Sequence, residues 1–344
     1  MRILIIGGTR FVGPPVVQRL HDQGHTLWLF HRSPAQIELP TTVKHILGDR
    51  YELADHRDTF RRIKPDVVLD MIPLAQADAQ AVVDVFKEIA GRVVTVSNQD
   101  VYRAYGRVNG LEPGEPDDIP LTEDAPLRGR LFPYRGETPR TSDDPRRWMD
   151  DYDKILVEQV VMENGVIPGT VLRLPLIYGP GDYQHRLFVH LKRMDDDRPA
   201  IIMSEQLARW RWTRDYVENT AAAIALATTD DRAAGRIYNV GEMPALTMAQ
   251  WIHEIGQIAK WRGKVVTAPD YQLPEDMQSQ AGLEQHLVID STRIRQELGY
   301  REVVSRVEGL VYTVSWERAN PPEHIDVNQF DYANEDLILA RLNR

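Results

Sequence analysis

Cysteine is absent from the 344 residues of the chain. Its absence excludes disulfide bonds, thiolate metal ligands and a cysteine nucleophile. No uninterrupted apolar run approaches the roughly 20 residues that a membrane-spanning helix needs, and glycines follow the first six residues too soon for a secretory signal. We therefore expect a cytoplasmic protein with no membrane segment.

Positive charge is also scarce, because 41 Lys and Arg residues stand against 51 Asp and Glu residues and give a formal net charge of −10. A negative field repels phosphate backbones and anionic lipid headgroups, which argues against nucleic acid or a membrane as partner. The 42% of apolar residues is typical of a globular chain. The length leaves room for two domains at most.

The first half of the chain alternates short β-rich runs with helical segments. Strands are predicted at Arg2–Ile6, Thr26–Phe30, Val43–Leu47, Asp66–Met71, Arg92–Val96 and Thr170–Leu174. Helices are predicted from Pro14 to about Gly24 and over Asp78–Ile89. This alternation favours right-handed crossovers and an α/β fold with a Rossmann-type, doubly wound parallel sheet. After Gly179 the alternation becomes irregular, which predicts a smaller second domain.

Two further segments precede the last of these strands. Gly110–Asp144 is rich in Pro, Gly, Asp and Arg, and it is predicted as a long surface loop over an active site or as an insertion. Ser142–Pro145 then offers N-cap residues and a helix-starting proline. A helix is therefore predicted from there to about Asn164–Gly165.

A glycine-rich loop joins the first strand to the first helix. Such a turn lets the backbone approach a pyrophosphate, while the helix N-terminus offers N–H groups and a positive dipole end. A plain turn with packing glycines is the alternative, and the βαβ context favours dinucleotide binding. The candidate cofactor ligands here are Gly7, Gly8, Thr9, Arg10, Phe11, Val12 and Gly13.

The end of the second strand bears on which dinucleotide is bound. An acidic residue there would accept from the ribose 2′-OH of NAD, whereas Arg would neutralise the 2′-phosphate of NADP. The sequence has His31, Arg32 and Ser33 and no carboxylate. Arg32, with Arg10 and Ser33, favours NADP, and NAD is the alternative cofactor. Arg32 could also be a solvated charge at a strand end that binds no cofactor.

Several segments carry a resemblance to a known family, in the expected order from residue 3 to about 318. They are Gly7–Gly13, Ser97–Tyr102, Arg173–Gly181, Arg214–Val217, Ile237–Gly241 and Asp290–Tyr300. The chain thereby resembles the extended, atypical short-chain dehydrogenases/reductases of the NAD-dependent epimerase/dehydratase family. It departs from the family loop at Arg10, where a glycine is usual.

The resemblance implies that residues 1–178, with 214–241, bind the dinucleotide, and that 179–344 mainly bind a small, sugar-like substrate such as a nucleotide-sugar. It implies hydride transfer between this substrate and the nicotinamide. The cofactor contacts implied beyond the loop are His31, Arg32, Asp49, Arg50, Ile72, Lys154 and Pro175, and the implied substrate contacts are Tyr178 and Arg214. The acidic, amphipathic tail from Pro321 is expected to pack either on the body of the protein or on a second subunit, as in a homodimer.

The catalytic pattern of the family is broken in this sequence. Family chemistry uses a Tyr and a Lys four residues later, on one helix face, with a Ser or Thr holding the substrate oxygen. Lys154 is preceded at that spacing by Asp150, and Tyr152 lies about 200° away around an ideal helix. Ser97 and Asn98 stand where the Ser/Thr is expected.

Several readings of this break stay open. Tyr152 reaches the site if the helix begins irregularly; Asp150 acts as acid or base; or Tyr102 or Tyr105 takes the role. The alternative is that Asp150, Tyr152 and Asp153 form a solvated helix face without a catalytic role. The protein would then be a weakly catalytic dinucleotide sensor or an RNA-associated binding protein. We take Ser97, Asn98, Tyr152 and Lys154 as the candidate catalytic residues.

Gln206–Arg214 is an aromatic and basic cluster in an acidic chain. Its arginines could clamp a phosphate or carboxylate while a tryptophan stacks on a base or sugar. The same alternation also fits a strand with packed tryptophans and solvated arginines. With no Cys, and with histidines that lack acidic neighbours, no metal site is predicted.

Overall fold

The computed structural model describes residues 1–32, 39–279 and 281–342, so Ser33 lies outside the described residues. The strands are β1 Arg2–Ile6, β2 Thr26–His31, β3 Lys44–Leu47, β4 Val67–Asp70, β5 Arg92–Asn98, β6 Gly169–Leu174, β7 Leu176–Tyr178, β8 Ala200–Ser204, β9 Arg214–Tyr216, β10 Arg236–Asn239 and β11 Lys264–Ala268. All six strands predicted in the first half are present within two residues of their expected bounds.

The α-helices carry the connections between these strands. They are α1 Gly13–Asp22, α2 Arg57–Ile63, α3 Gln76–Phe86, α4 Arg103–Val108, α5 Lys154–Glu163, α6 Phe188–Asp195, α7 Glu205–Arg209, α8 Val217–Thr229, α9 Met248–Ala259, α10 Thr292–Leu298, α11 Arg306–Ala319 and α12 Tyr332–Leu342. Within the described part of the chain, no helix combines the length and the apolar content that crossing a bilayer would require.

Seven strands form one sheet in the order β10-β6-β5-β4-β1-β2-β3, and all six pairings between neighbouring strands are parallel. The order turns back at β1, so the connections run outward in both directions and the sheet is doubly wound. Apolar side chains of β1 are buried on both faces, as helices on either side of a parallel sheet require. The predicted Rossmann-type α/β fold is confirmed.

The second half adds smaller elements beside this sheet. β8 pairs with β11, and β7 pairs with β9, while β10 returns to the edge of the large sheet. A separate apolar cluster surrounds Trp251 and Ile255 of α9 together with Tyr178. The boundaries of 1–178 with 214–241 and of 179–344 as two binding domains stay a prediction.

The predicted start of the helix near Ser142–Pro145 is wrong. A 3₁₀ turn covers Arg147–Asp150, and α5 begins only at Lys154, with Asp153 as its N-cap in an extended conformation at φ −160°. The Asp153 carboxylate accepts from the Ile155 N–H at 2.9 Å. Asp153 therefore starts the helix, because side-chain contacts from the preceding loop hold residues 150–153 outside it.

Candidate active site

The glycine loop passes from the carboxyl end of β1 into α1. Gly7 and Gly8 have φ values of +90° and +82°, in the region that side chains disfavour. A Cβ built on Gly13 would lie 2.3 Å from the carbonyl carbon of Gly8, so only glycine allows this contact. A Cβ built on Gly181 would lie 3.8 Å from the Phe11 side chain of this loop.

This loop has the features that a pyrophosphate requires. The structure gives no protein acceptor, within the described residues, to the N–H groups of residues 8–12. Pro14 and Pro15 stand at the start of α1, where their missing N–H groups cost little. Thr9 and Val12 are partly buried and Arg10 is exposed. A row of unpaired amides before a helix N-terminus fits a phosphate-binding cradle.

The strand ends beside the loop hold the other predicted cofactor residues. Ile72, 43% exposed, lies against Gly7 at the end of β4. Arg32 is exposed at the end of β2, and the Nε2 atom of His31 lies 2.8 Å from Nδ1 of His45. Asp49 caps a 3₁₀ turn by accepting from the Tyr51 N–H.

Arg50 lies beneath this edge rather than on it. Its guanidinium forms ion pairs with Asp70 at 3.1 Å and Asp78 at 3.2 Å, and it donates to the Ile72 carbonyl at 2.7 Å. Only 9% of the residue is exposed. Arg50 therefore fixes the end of β4. Pro175, another predicted cofactor contact, is also buried.

Lys154 lies at the same edge of the sheet as the glycine loop. Its Nζ atom donates to the carbonyls of Val96, at 3.0 Å, and Pro73, which adjoins Ile72 and hence Gly7. Burial lowers the pKa of Lys154 to about 8, although Asp100 and Asp70 favour its charged form. The first residue of α5 thus places an amine with a lowered pKa at the edge of the sheet that carries the glycine loop.

Tyr152 reaches this site because residues 151–153 precede the helix. Its hydroxyl accepts from Asn98 Nδ2 at 2.7 Å and donates to Asp100 Oδ2 at 2.7 Å. The Lys154 ammonium lies 6.0 Å from the centroid of the Tyr152 ring. Of the readings left open by the sequence, the irregular helix start is the one that the geometry supports.

Asp150, four residues before Lys154, binds residues outside this cluster. Its carboxylate accepts from the Arg140 N–H at 2.7 Å and pairs with the Arg140 and Arg147 guanidinium groups. Hydrogen bonds and charge from Arg140 hold the pKa of Asp150 below its usual value despite burial. Asp150 therefore anchors the preceding loop.

The segment Gly110–Asp144 packs its middle part against the cluster. Arg128 and Asp153 form an ion pair at 3.1 Å between side chains with no exposed area. Tyr134 donates to Asp100 Oδ2 at 3.3 Å, and its hydroxyl lies 2.9 Å from that of Tyr105. The expectation of a loop is met, since neither α-helix nor strand occurs among these described residues.

Sequence reasoning missed Asp100 and Tyr134. Asp100 falls within Ser97–Tyr102, but no spacing rule singled it out from the neighbouring polar residues. Tyr134 is contributed by a loop without periodicity, so only the tertiary structure brings it to the site. Tyr105, one of the alternative tyrosines, joins the cluster indirectly through Tyr134.

Ser97 and Tyr102 bind the buried ion pair of Glu158 with Arg173, and not the Tyr152 hydroxyl. Ser97 Oγ donates to Glu158 at 2.5 Å, and Glu158 pairs with Arg173 at 2.7 Å. Arg173 also donates to the Tyr102 hydroxyl at 3.1 Å, and Tyr102 donates to Asn239 at 2.6 Å. Burial raises the pKa of Tyr102 to about 12. Asn98 is thus the member of the Ser97-Asn98 pair that contacts Tyr152.

Arg214 lies in a small pocket of the second half of the chain. Its guanidinium carbon is 4.6 Å from the centroid of the Trp251 ring, and it donates to the Trp212 carbonyl at 3.1 Å. Within the described residues it has no carboxylate at ion-pair distance. Burial lowers the pKa of Arg214 to about 10, which is typical of a cation without a close counter-charge.

The neighbours of Arg214 are already paired. Glu242 accepts from the Tyr178 hydroxyl at 2.8 Å and from Arg306 at 2.7 Å. Tyr178 is fully buried, which places it among the pocket's supports. The pocket is lined by Trp212, Arg214, Glu242, Pro244, Ala245, Leu246, Trp251 and Arg306.

The remainder of Gln206–Arg214 follows the packing alternative. Trp210 is buried and donates to the Gln285 carbonyl at 2.8 Å, while Arg209 and Arg211 are exposed. Among the described residues, no three His, Asp or Glu side chains are arranged to hold a metal ion.

Comparisons with known proteins give weak sequence similarity and strong structural similarity. No protein-family model matches the chain. A dTDP-glucose 4,6-dehydratase of Streptomyces griseus is 26% identical over 140 residues, which are 40% of this chain and only 39% of that protein. A UDP-N-acetyl-alpha-D-glucosaminuronate decarboxylase of Bacillus cytotoxicus is 21% identical over 345 residues, and this alignment covers 92% of this chain and 98% of the decarboxylase.

The fold is shared with solved structures over nearly the whole chain. UDP-glucuronic acid 4-epimerase of Bacillus cereus, solved with UDP-glucuronic acid and NAD, superposes with a TM-score of 0.67 at 17% identity, covering 93% of this chain and 99% of that one. The fold is therefore that of the dinucleotide-dependent epimerases. The chain thus shares the fold of the family that its sequence resembles, and its structural neighbours include nucleotide-sugar epimerases.

Proposed function

We propose that this protein is an NAD(P)-dependent enzyme of the epimerase/dehydratase type that moves a hydride between the dinucleotide and a hydroxyl-bearing carbon of a nucleotide-sugar. The observation that carries the proposal is the hydrogen bond of Asn98 to Tyr152, beside Lys154, at the carboxyl edge of the parallel sheet. In open α/β sheets this edge is where ligands bind.

The glycine loop and Lys154 hold the dinucleotide in this proposal. Pyrophosphate oxygens accept from the amides of residues 8–12, for which the described part of the chain supplies no acceptor. The ribose hydroxyls lie near Lys154, whose Nζ atom donates to the carbonyl of Pro73, the residue after Ile72. A bound nicotinamide supplies the hydride acceptor or donor. The proposed division is dinucleotide binding by 1–178 with 214–241 and substrate binding mainly by 179–344.

The proton is handled by Tyr152. Its hydroxyl oxygen accepts one hydrogen bond from Asn98 and has a second lone pair for the hydroxyl proton of a substrate. Asn98 fixes the position of the phenol through this hydrogen bond. Ser97 and Asp150 take no part in this step, because their polar atoms are bound to Glu158 and Arg140.

The anionic part of the substrate is proposed to bind at Arg214. Among the described residues the buried Arg214 guanidinium has no carboxylate partner, so it should attract a phosphate strongly, and the Trp251 ring against it restricts its orientation. Arg306 lies on the same pocket wall, although Glu242 already neutralises it. A diphosphate linking a base to a sugar meets these requirements.

The proposal is tested by turnover with a panel of UDP- and dTDP-linked sugars, followed by absorbance of the reduced nicotinamide and by NMR of the sugar products. Conversion of any panel member supports an enzyme. Dinucleotide binding without conversion of the whole panel supports the dinucleotide-sensing alternative instead. Absence of dinucleotide binding by folded protein rejects both.

The nucleotide preference is a separate proposal, that NADP binds more tightly than NAD. It rests on exposed Arg32 at the end of β2, where a 2′-phosphate would need a cation. Calorimetry with NADPH and NADH should show tighter binding of NADPH, and Arg32→Ala should narrow the difference. Arg301→Ala, another exposed arginine, is the control and should leave the difference unchanged.

A further inference from the structure

The hydrogen-bonded cluster continues beyond the Tyr152 hydroxyl. Asp100 Oδ2 accepts from Tyr152 at 2.7 Å on one side and from Tyr134 at 3.3 Å on the other, and Tyr134 meets Tyr105 at 2.9 Å. A carboxylate and three phenols therefore lie in one unbroken row. This row starts at the proposed reacting hydroxyl and ends at Tyr105, which is only partly buried.

Asp100 occupies an unusual position for a carboxylate. It is 2% exposed, and its second oxygen, Oδ1, has no hydrogen-bond partner among the described residues. The nearby Arg128 directs its Nε to the main-chain carbonyl of Asp100 rather than to the carboxylate. A buried carboxylate with an unpaired oxygen is costly in an ordinary fold.

We propose that Asp100 is the proton acceptor and donor behind Tyr152, and that Tyr134 and Tyr105 connect it to the surface. The inference rests on the proposed function. When a substrate hydroxyl is oxidised, its O–H proton passes to the Tyr152 oxygen while the Tyr152 proton passes to Asp100. The carbon-bound hydrogen leaves as hydride to the dinucleotide, and the carbonyl product remains. The reverse movements balance a reduction.

This route avoids a charged tyrosinate. Burial, the Asp100 charge and the hydrogen bond to it raise the pKa of Tyr152 well above 10, so its deprotonated form is scarce at neutral pH. Burial also raises the pKa of Asp100, against the opposing effects of Tyr152, Arg128 and Lys154 and with a supporting effect of Asp153. Concerted transfer through a neutral phenol needs only the carboxyl group to change charge.

The geometry also assigns a role to the loop Gly110–Asp144. The buried pair of Arg128 with Asp153 and the Phe132 N–H bonded to Asp153 at 2.6 Å fix this loop next to the helix start. Tyr134 lies two residues after Phe132. The loop thus acts as a positioning element for the row, and Tyr134 acts on the substrate only through Asp100 and Tyr152.

The first test needs no substrate. Protein carrying ¹³C at aspartate Cγ and tyrosine Cζ is titrated by NMR, with Asp100→Asn and Tyr152→Phe used for assignment. We expect Asp100 to titrate above the usual aspartate range and Tyr152 to stay protonated beyond pH 9. Tyr134→Phe should raise the Asp100 midpoint by roughly half a unit to one unit, because the charged form loses a donor.

Tyr271→Phe is the matched control, since it removes a hydroxyl from a residue that is 82% exposed. It should leave the Asp100 midpoint unchanged. An Asp100 signal that Tyr134→Phe does not move, or a Tyr152 signal that titrates near neutral pH, overturns the proposal. Tyr134→Phe removes one hydroxyl and keeps the ring, so the variant that decides the test is expected to keep its fold. Asp100→Asn serves only to assign the Asp100 signal, and Asp100→Glu assigns it if Asp100→Asn does not fold.

The second test uses whichever UDP- or dTDP-sugar of the panel is converted. Asp100→Asn should lower the oxidation rate by roughly 10²–10⁴-fold, and Asp100→Glu should restore part of it. Tyr134→Phe should move the acidic limb of the rate profile to higher pH. A profile unchanged by Tyr134→Phe overturns the relay, whereas failure of the whole panel counts against the proposed function and leaves the NMR result to decide the relay.

Discussion

The Nζ atom of Lys154 lies 6.0 Å from the centroid of the Tyr152 ring. Only one residue separates the two along the chain, and a continuous helix would place them on different sides. They approach each other because Asp153, in extended conformation, separates Tyr152 from the first turn of α5. A tyrosine and a lysine are thereby combined at a spacing that the usual motif does not contain.

The first prediction compares Tyr152 with Asp150. Tyr152→Phe should lower turnover of an accepted nucleotide-sugar by roughly 10²–10⁴-fold, because the proton-transferring hydroxyl is lost. Asp150→Asn should change turnover only slightly, since Asp150 pairs with Arg140 and not with the cluster. Steady-state kinetics on both variants check this, and an equal loss in the two would contradict the proposed site.

A second prediction concerns binding at Arg214. Arg214→Gln should weaken binding of UDP by about 10- to 100-fold, since a hydrogen bond to a charged group contributes roughly 1.5–3 kcal/mol. Its free energy of unfolding should not fall much, because the buried cation has no carboxylate partner within the described chain.

Calorimetric titration with UDP measures the effect of Arg214→Gln, and Arg211→Ala serves as control because Arg211 is exposed nearby. Unchanged affinity in Arg214→Gln would show that the nucleotide binds elsewhere.

The third prediction is a pH dependence caused by Lys154. Its pKa is about 8 in the folded protein against 10.5 ordinarily, so the unfolded state binds more protons between these values. The contribution of Lys154 to stability therefore increases as pH rises through that window. Relative to Lys154→Met, the wild-type free energy of unfolding should grow by about 2 kcal/mol between roughly pH 7 and pH 9.5.

Urea unfolding of the wild type and Lys154→Met at several pH values gives this difference directly. Subtracting the variant removes the contributions of other titrating groups, provided that both follow two-state transitions. A difference that stays constant, or shrinks as pH rises, would contradict a lowered pKa for Lys154.

The fourth prediction concerns the glycine loop of residues 7–13. Gly13→Ala should abolish dinucleotide binding and destabilise the fold by about 1–3 kcal/mol, since the new methyl would meet Gly8 at 2.3 Å. Gly136→Ala is the matched control, because a Cβ there would meet nothing closer than 3.7 Å. Thermal unfolding and calorimetry on both variants provide the readouts, and binding retained by Gly13→Ala would remove the loop from the proposed site.

Local patterns in the sequence were sufficient to predict the parallel sheet and the glycine loop. Buried parallel strands are short apolar runs, as in Ile3–Ile6 and Val67–Leu69, and their alternation with helices restricts the topology to few choices. The glycines at positions 7, 8 and 13 are needed by a turn only a few residues long, so the sequence contains the information for that turn.

The start of α5 could not be predicted from nearby residues. Ser142–Pro145 has good local start signals, but the contacts that decide the start are those of Asp150 with Arg140 and of Asp153 with Arg128. Both partners come from a loop without periodicity. The contacts of Arg50 and Tyr178 could not be predicted from nearby residues either. Their positions in the motifs predict that they bind ligands, but in the fold Arg50 pairs with the buried Asp70 and Tyr178 donates to the buried Glu242.

The sequence by itself determined the doubly wound sheet, the backbone cradle after β1 and the absence of thiol chemistry, because each depends on residue types within a short stretch. Only the tertiary structure decided which side chains meet Tyr152. Asn98, Asp100 and Tyr134 come from a strand end, a turn and a distant loop, and their hydrogen bonds form only when long-range packing brings these segments together.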